Sequence, residues 1–323
     1  TAEKKNPAQD AKYPRTAHNV YNYRCYGVNL MSCYHPIQIW KYNFGPNRGE
    51  TTLVRPWPAD CDKPGINYWL VPCGKCIGCR LTRARYWSLR LEHERLEHEL
   101  AYFLTLTYDS RYLPSDGLRH DDVQLFIKRY RALIAPDQIR YFLCGEYGGQ
   151  THRPHYHAII FGHLWPDVEP IGHGSNGDRL YTSKMCQSVW RLGNVVIGEA
   201  SPRAMGYVAR YAAKVYDDDD WQPPEGWRKP YIVMSRRPGI GYKAFERFFD
   251  SWRSDCIVNA SKSKFSLPRY YLEKIKLTDE TLYDSIKAKR LVNALTQPFS
   301  TSERLVAQEE YRLIKGKKLE RNL

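Results

Sequence analysis

Between Thr151 and Trp165 the chain reads HRPHYHAIIFG, and further along it reads YVARYAAK. His155 and His157 stand at i and i+2. Alternate side chains of a β-strand leave the same face, so the two imidazoles can converge on one metal ion. Tyr207, Tyr211 and Lys214 stand at helical spacing. At about 100° per residue, Tyr211 lies roughly 40° round a helix from Tyr207, and Lys214 roughly 20° on its other side. Two phenols and an ammonium therefore share one narrow stripe. A cation held by the strand can withdraw charge from a phosphate oxygen while a tyrosine attacks the phosphorus in line. A phenol, with a pKa of about 10, is a weak nucleophile when neutral and a fair leaving group in reverse. A cut phosphodiester could thus be held on the protein and rejoined without ATP. Aromatic residues four apart on a helix more often mark a core stripe. Lys214 argues against that reading, because a cation is costly in a core and useful beside a phosphate.

Two imidazoles leave a coordination sphere incomplete. Glu146 ends the preceding strand-like segment, and a hairpin would bring it alongside His155. His152 is a weaker ligand candidate, since Arg153-Pro154 breaks the strand between it and His155. Two nitrogens and one oxygen suit Mn²⁺ acceptably and Mg²⁺ poorly on ligand softness, and Zn²⁺ or Ni²⁺ could fill such a site in vitro. The expected cofactor is a divalent metal, Mn²⁺ or Mg²⁺. Thr105 and Thr107, in FLTLTYD, share one strand face; they reflect either β-propensity or hydroxyls that support a ligand or a phosphate.

The chain has 9 cysteines, an odd number. Cys73, Cys76 and Cys79 form C-x2-C-x2-C, too tight for three independent disulfides and better suited to metal in a reducing compartment. They lack one ligand for a structural Zn²⁺ site. Cys33, in MSCYHP, is the choice for the fourth, with His35 and Cys61 as competitors. Free thiols and an iron–sulfur cluster are the alternatives, but the C-P signature that would follow a cluster motif is absent. Next come Lys75, Arg80, Arg83, Arg85 and Arg90, interleaved with Tyr86 and Trp87 and with no acidic residue between them. This is either a phosphate-contacting surface or a solvated helix face. Arg236 and Arg237, before Pro238–Gly241, weakly resemble a phosphate-approaching loop. No Walker A sequence is present, so a fused helicase is not expected.

These segments need a scaffold. The 323 residues, 42% hydrophobic with 14% aromatic, can build two or three domains. A net charge of +14 favours a polyanion partner over a merely soluble basic protein, and no small-molecule substrate is expected. No segment approaches the length of a membrane span, and the polar start TAEKKNPAQD does not read as a signal peptide. Residues 1–30 read as a flexible or extended arm. Residues 31–100 read as a cysteine-rich metal module, with strand-like pieces at Pro36–Tyr42 and Tyr68–Val71 and a basic helix over Leu81–Leu100. In residues 101–216 the pattern gives strand Ala101–Asp109, helix Asp121–Ile134, strands Ile139–Glu146 and His155–Phe161, helix Ser183–Leu192, strand Asn194–Gly198, and a helix from Ser201-Pro202 to about Tyr216. The order β-α-β-β-α-β-α is a split βαβ, an α+β fold with a ferredoxin-like or RRM-like antiparallel sheet and one extra helix. Asp217–Asp220 breaks the last helix. Residues 217–264 form a basic connecting region, and 265–323 a helical, net basic C-terminal region.

FLTLTY, GEYG…HRPHYHAIIFG and GYVARYAAK, in that order, resemble the three motifs of HUH endonucleases, the rolling-circle initiators and relaxases. MSCYHP, PCGKCIGCR and SRRPGIG further resemble the replication initiation proteins of gokushoviruses, single-stranded DNA phages of the microvirus family. The resemblance spans Met31 to Gly241. It implies that His155 and His157 are the HUH histidines with Glu146 as third ligand, and that Tyr207 and Tyr211 are paired nucleophiles. Lys214 completes the Y-x-x-K after the second tyrosine, and Tyr156 occupies the usually hydrophobic position between the histidines. It also implies a mechanism. One tyrosine nicks single-stranded DNA at the viral replication origin and keeps the 5′ end as a phosphotyrosine while the 3′-OH primes synthesis. The second tyrosine later cuts the regenerated origin so that the strand closes. The setting would be the host bacterial cytoplasm, with host helicase and polymerase as partners.

Two other readings remain at this level. One is a single-tyrosine relaxase or transposase of the same superfamily. The other is a non-catalytic zinc-containing nucleic-acid-binding protein with exposed aromatics on an RRM-like sheet. The second explains charge and fold but leaves the Glu146/His155/His157 and Tyr207/Tyr211 groups without a purpose.

Overall fold

Alternation organises the central sheet. In AYFLTLT, Tyr102, Leu104 and Leu106 are buried on one side while Phe103 and Thr105 turn to the other. The computed structural model describes residues 33–42, 51–52, 66–174, 177–214, 223–259, 262, 264–296 and 302–320. The arm at 1–30, Cys61 and the acid run Asp217–Asp220 lie outside them. In chain order the elements are β1 (Ile37–Tyr42), β2 (Thr51–Thr52), β3 (Ile66–Val71), α1 (Ile77–Arg95), β4 (Ala101–Thr107), α2 (His120–Ile134), β5 (Arg140–Tyr147) and β6 (Pro154–Phe161). After them come β7 (Val168–His173), β8 (Arg179–Ser183), α3 (Lys184–Trp190), β9 (Val195–Glu199), α4 (Pro202–Lys214), β10 (Tyr231–Met234) and α5 (Tyr242–Phe248). The chain continues through β11 (Ile257–Val258), β12 (Lys264–Phe265), α6 (Arg269–Thr278), α7 (Glu280–Thr296) and α8 (Ser302–Glu320).

Seven strands form one antiparallel sheet in the order β10-β5-β6-β4-β9-β8-β7. Within it β6 lies between β4 and β5, which run the same way, so the β4-α2-β5 crossover is split by β6. One sheet face, with Leu104, Leu143, Tyr156, Ile160 and Ile197, buries Phe126 and Tyr130 of α2 and Trp190 of α3. The opposite face, with Phe142, Cys144, Ile159 and Phe161, packs on Met205, Val208 and Ala209 of α4 and on Leu91 of α1. A one-residue slip of β6 would exchange these faces and move both histidines to the α2 side. The sheet is therefore pinned in register by burial on both sides.

The structure differs from the sequence expectation in three places. The basic helix starts at Ile77 instead of Leu81 and ends at Arg95 instead of Leu100. The cysteine segment runs directly into it, Arg80 N–H donating to the Cys76 carbonyl at 3.0 Å, and Cys and Gly carry no apolar periodicity to announce that turn. The β7–β8 hairpin extends one edge of the sheet, and β10, drawn from the basic connecting region, extends the other. β7 is exposed at five of its six positions and the four residues of β10 are all half-buried, so neither shows an alternation that would reveal it. In the C-terminal region α6 and α7 pack Tyr271, Ile275 and Ile286 against Leu89 of α1 and Trp252.

Two buried polar residues tie α1 in place. Glu94 accepts from Arg140 of β5 and from the Gly241 backbone N–H at 2.6 Å. His93 stacks on Trp252 and lies 2.8 Å from the Tyr271 hydroxyl through Nδ1. Burial depresses the His93 pKa from 6.5 to about 4. The native state therefore favours neutral imidazole, and this stabilisation is present above pH 6.5 and fades as pH falls from there toward 4. Between pH 7.5 and 5 it should amount to roughly 2 kcal/mol. Urea titrations should show that loss in the wild type and a correspondingly smaller one in His93→Phe; parallel pH profiles would contradict it.

Candidate metal centre and paired tyrosines

Register builds the first cluster. In the β5–β6 ladder Glu146 pairs with His155, and in the β4–β6 ladder Thr105 pairs with His157. All four side chains leave the α4 face. His155 Nε2 lies 3.1 Å and His157 Nε2 2.9 Å from the same Glu146 oxygen, Oε1. The other nitrogen of each ring is engaged: His155 Nδ1 faces the Arg153 carbonyl at 3.1 Å, and His157 Nδ1 faces Thr105 Oγ1 at 3.0 Å. Both Nε2 atoms are thereby turned toward the carboxylate, the arrangement in which an outer partner fixes the tautomer of a ligating imidazole. The three donor atoms lie within 4.8 Å of one another, so the set fits a single divalent cation. Exposed edges are small: 8% of Glu146, 9% of His157 and 18% of His155 side-chain surface.

The electrostatics follow from burial and from these bonds. Burial works to raise the Glu146 pKa, but the bonds to both histidines outweigh it and hold the carboxyl below its usual value. Burial lowers His157 despite Glu146, leaving it neutral, while at His155 the Glu146 bond overcomes burial and raises the pKa. A carboxylate facing a neutral imidazole and a readily protonated one is a donor set in which a cation can displace the proton.

Ser201 caps α4, its Oγ accepting from Ala204 N–H at 3.2 Å, and the helix lays its tyrosines across this cluster. Tyr207 and Tyr211 pack at 5.3 and 5.9 Å from the His157 ring, centroid to centroid. The Tyr211 hydroxyl donates to the Tyr207 oxygen at 2.6 Å, so the two phenolic oxygens meet at one point. Burial, with Glu146 nearby, pushes both phenols up; a cation at the carboxylate acts in the opposite direction. Lys214 closes α4 one turn beyond Tyr211. Thr107 pairs with His155 in the β4–β6 ladder, and its hydroxyl faces the Asn194 carbonyl at 3.4 Å. His152 lies outside the three-ligand group, in the turn before β6.

Phe103 was missed by sequence reasoning. It stacks on His157 at 5.3 Å with 19° between planes and touches Tyr207 edge-on, so it holds the imidazole between strand and helix. Its signal was present: Phe103 is two residues before Thr105 and so shares that face of β4.

The second cluster gathers Cys33, Cys73, Cys76 and Cys79, with ligand atoms again within 4.8 Å. The Cys73–Cys79 and Cys76–Cys33 sulfur separations are 4.0 and 3.9 Å. Tetrahedral Zn²⁺ with Zn–S bonds of about 2.3 Å needs sulfurs roughly 3.8 Å apart, so the set fits. Backbone N–H groups of Cys73, Tyr34 and Cys76 point at Cys33, Cys76 and Cys73 sulfurs at 3.2 to 3.3 Å, as suits thiolates. His35 is instead drawn to Glu309 of α8 at 2.5 Å. Of the basic residues singled out, Arg83 braces the loop by donating to the Gly74 carbonyl at 3.0 Å, Arg80 is half-buried, and Arg85, Arg236 and Arg237 are exposed. No helix among the described residues is long and apolar enough to cross a membrane.

The model of the replication-associated protein ORF2 family matches residues 101–216, the stretch that carries Glu146, both histidines and both tyrosines. Replication-associated protein VP4 of Bdellovibrio phage phiMH2K is 35% identical over 218 residues, covering 64% of this chain and 67% of that protein. Replication-associated protein ORF2 of Spiroplasma virus 4 is 29% identical over 80% of this chain and 86% of its own length. For replication-associated protein ORF4 of Chlamydia phage 1 the figures are 28%, 69% and 59%. The chain belongs to this family of phage replication-associated proteins, of the gokushovirus type. No solved structure matches it.

Proposed function

We propose that this protein initiates rolling-circle replication in the host cell by nicking and rejoining single-stranded viral origin DNA through a 5′-phosphotyrosine. The observation that carries this reading is the meeting of two tyrosine hydroxyls, 2.6 Å apart, over a Glu–His–His cluster. Residues 101–216 would be the HUH endonuclease core, residues 31–100 a zinc module with its basic helix, and the regions after 216 would flank the core. Glu146, His155 and His157 would hold Mn²⁺ or Mg²⁺, which supplies charge withdrawal from a non-bridging phosphate oxygen.

The chain's own residues then account for the remaining steps. Thr105, the Arg153 carbonyl and Phe103 orient the two rings, and α4 delivers the tyrosines. One phenolic oxygen loses its proton and bonds to phosphorus; the bond to the 3′ oxygen breaks, and that oxygen takes up a proton. One phosphodiester is exchanged for another, so resealing needs no outside energy. The second tyrosine repeats the exchange at the regenerated origin, and the released 3′-OH attacks the first phosphotyrosine. Arg85, Arg236 and Arg237 are available for phosphate contacts, with Arg80 and Arg83 beside the cysteine loop. Lys214, one turn beyond Tyr211, would supply a cation for the attacked phosphate. Host helicase and polymerase would extend the freed 3′ end.

The test is incubation with labelled single-stranded origin DNA and Mn²⁺, followed by denaturing electrophoresis. The wild type should carry label covalently. His157→Ala should lose nicking by at least about a hundredfold, as removal of a ligand removes the charge sink, while retaining most DNA affinity, because phosphate contacts are spread over many Lys and Arg. Undiminished adduct from that variant would sink the assignment.

A further inference from the structure

Away from the metal cluster, a groove of about 480 Å³ runs between the cysteine loop, α1 and the start of α6. Tyr86, Trp87, Arg83 and Arg90 line it from α1, and Arg269 and Tyr270 from α6. Arg90 is sandwiched, its guanidinium 4.2 Å from the Trp87 ring centroid and 3.8 Å from that of Tyr270, with Nε donating to the Ile240 carbonyl at 3.1 Å. No carboxylate lies within ion-pair distance of it among the described residues; burial works against its charge, and Glu94 favours it only through space. A guanidinium keeps its charge in any protein setting, so a partly desolvated one with no acid in contact gains from an anion. The Tyr270 hydroxyl is likewise buried and lacks a hydrogen-bond partner among the described residues.

We infer that this groove carries a stretch of unpaired DNA flanking the scissile phosphate, with a base packed against its aromatic side chains and a backbone phosphate at Arg90. The inference rests on the reading above, that the substrate is single-stranded DNA. The walls decide the occupant. Arginines match phosphates, and aromatic side chains match bases, which present their own faces only when unstacked from a duplex. An acidic peptide would use the cations and leave the rings idle. The groove also adjoins the layer that holds the metal cluster: Trp87 packs on Phe142 at 5.0 Å, and Phe142 leaves the same face of β5 as Glu146. The helix α1 is also packed beside α4, which carries the tyrosines.

The test uses the full chain with a fluorescein-labelled 20-mer oligothymidylate, read by anisotropy across a salt series. Tyr270→Leu should weaken binding about tenfold. Arg90→Gln should reduce the slope of log affinity against log salt by about 0.7, a change that a purely structural arginine would not produce. An oligonucleotide carrying 5-iodouracil, irradiated on the wild-type protein, should cross-link within residues 82–90 or 268–271. Unchanged affinity in Tyr270→Leu with an unchanged salt slope in Arg90→Gln would overturn the proposal. So would cross-links confined to other segments, or competition by polyglutamate or duplex DNA as effective as by the unlabelled oligomer. Affinity is read here, not cleavage, and His157→Ala should keep it, so failure of the groove and failure of the nicking reading are seen separately.

Discussion

The double variant Tyr207→Phe/Tyr211→Phe should form no covalent adduct with origin DNA, while each single variant keeps part of first-round cleavage. The phenyl ring preserves the packing against His157 and Phe103 and removes only the oxygen. Because the two hydroxyls already meet at 2.6 Å, either can reach a phosphate held at one place by a small shift of the DNA. The single variants should fail at the second transfer and accumulate linear, uncircularised strand. The loss in the double variant should exceed about a thousandfold, the scale seen when a covalent nucleophile is removed. One single variant dead in cleavage and the other fully active in circularisation would replace the relay with a single-tyrosine enzyme. Adduct formation by the double variant would remove the tyrosines from the chemistry altogether.

Stripping metal from the cysteine cluster, or the change Cys76→Ser, should unfold the segment around Cys33 and Cys73–Cys79 and lower the thermal midpoint. In isolated structural zinc domains the metal contributes on the order of 10 kcal/mol to folding, and four sulfurs without it leave little to hold the loop. The surrounding cluster is small, with Tyr34, Ile77 and Leu305 as its main apolar neighbours. The first turn of α1 should fray with the loop, since Cys79 belongs to both. Hydrogen exchange should localise the loss there, and elemental analysis of purified protein should find one zinc per chain. Protein free of zinc and iron, with a midpoint insensitive to chelator, would show the four thiols to be mere neighbours.

The chemistry-bearing faces were legible in the sequence because each depends on a local period. Two-residue alternation set Thr105 with Thr107 and His155 with His157; helical spacing set Tyr207 with Tyr211. Glu146 was within reach because a short turn fixes the register of a hairpin, and register carries every side chain with it. Cys33 was harder, lying far from Cys73 in sequence, and only the need for a fourth thiolate pointed to it. The first turn of α1, the β7–β8 hairpin and β10 left no periodic mark, being short, exposed or rich in Cys and Gly.

The sequence by itself determined which residues share a strand or helix face, and hence the membership of the Glu–His–His cluster and the tyrosine stripe. Only the tertiary structure decided that α4 lies over β6 with its hydroxyls above His157, that Phe103 wedges the imidazole, and that Arg83 and Arg90 serve packing as well as charge. The reason is physical. A period is written in a few consecutive residues, whereas docking one layer on another depends on how side chains from distant segments fill shared volume and satisfy one another's polar atoms, and no single segment records that.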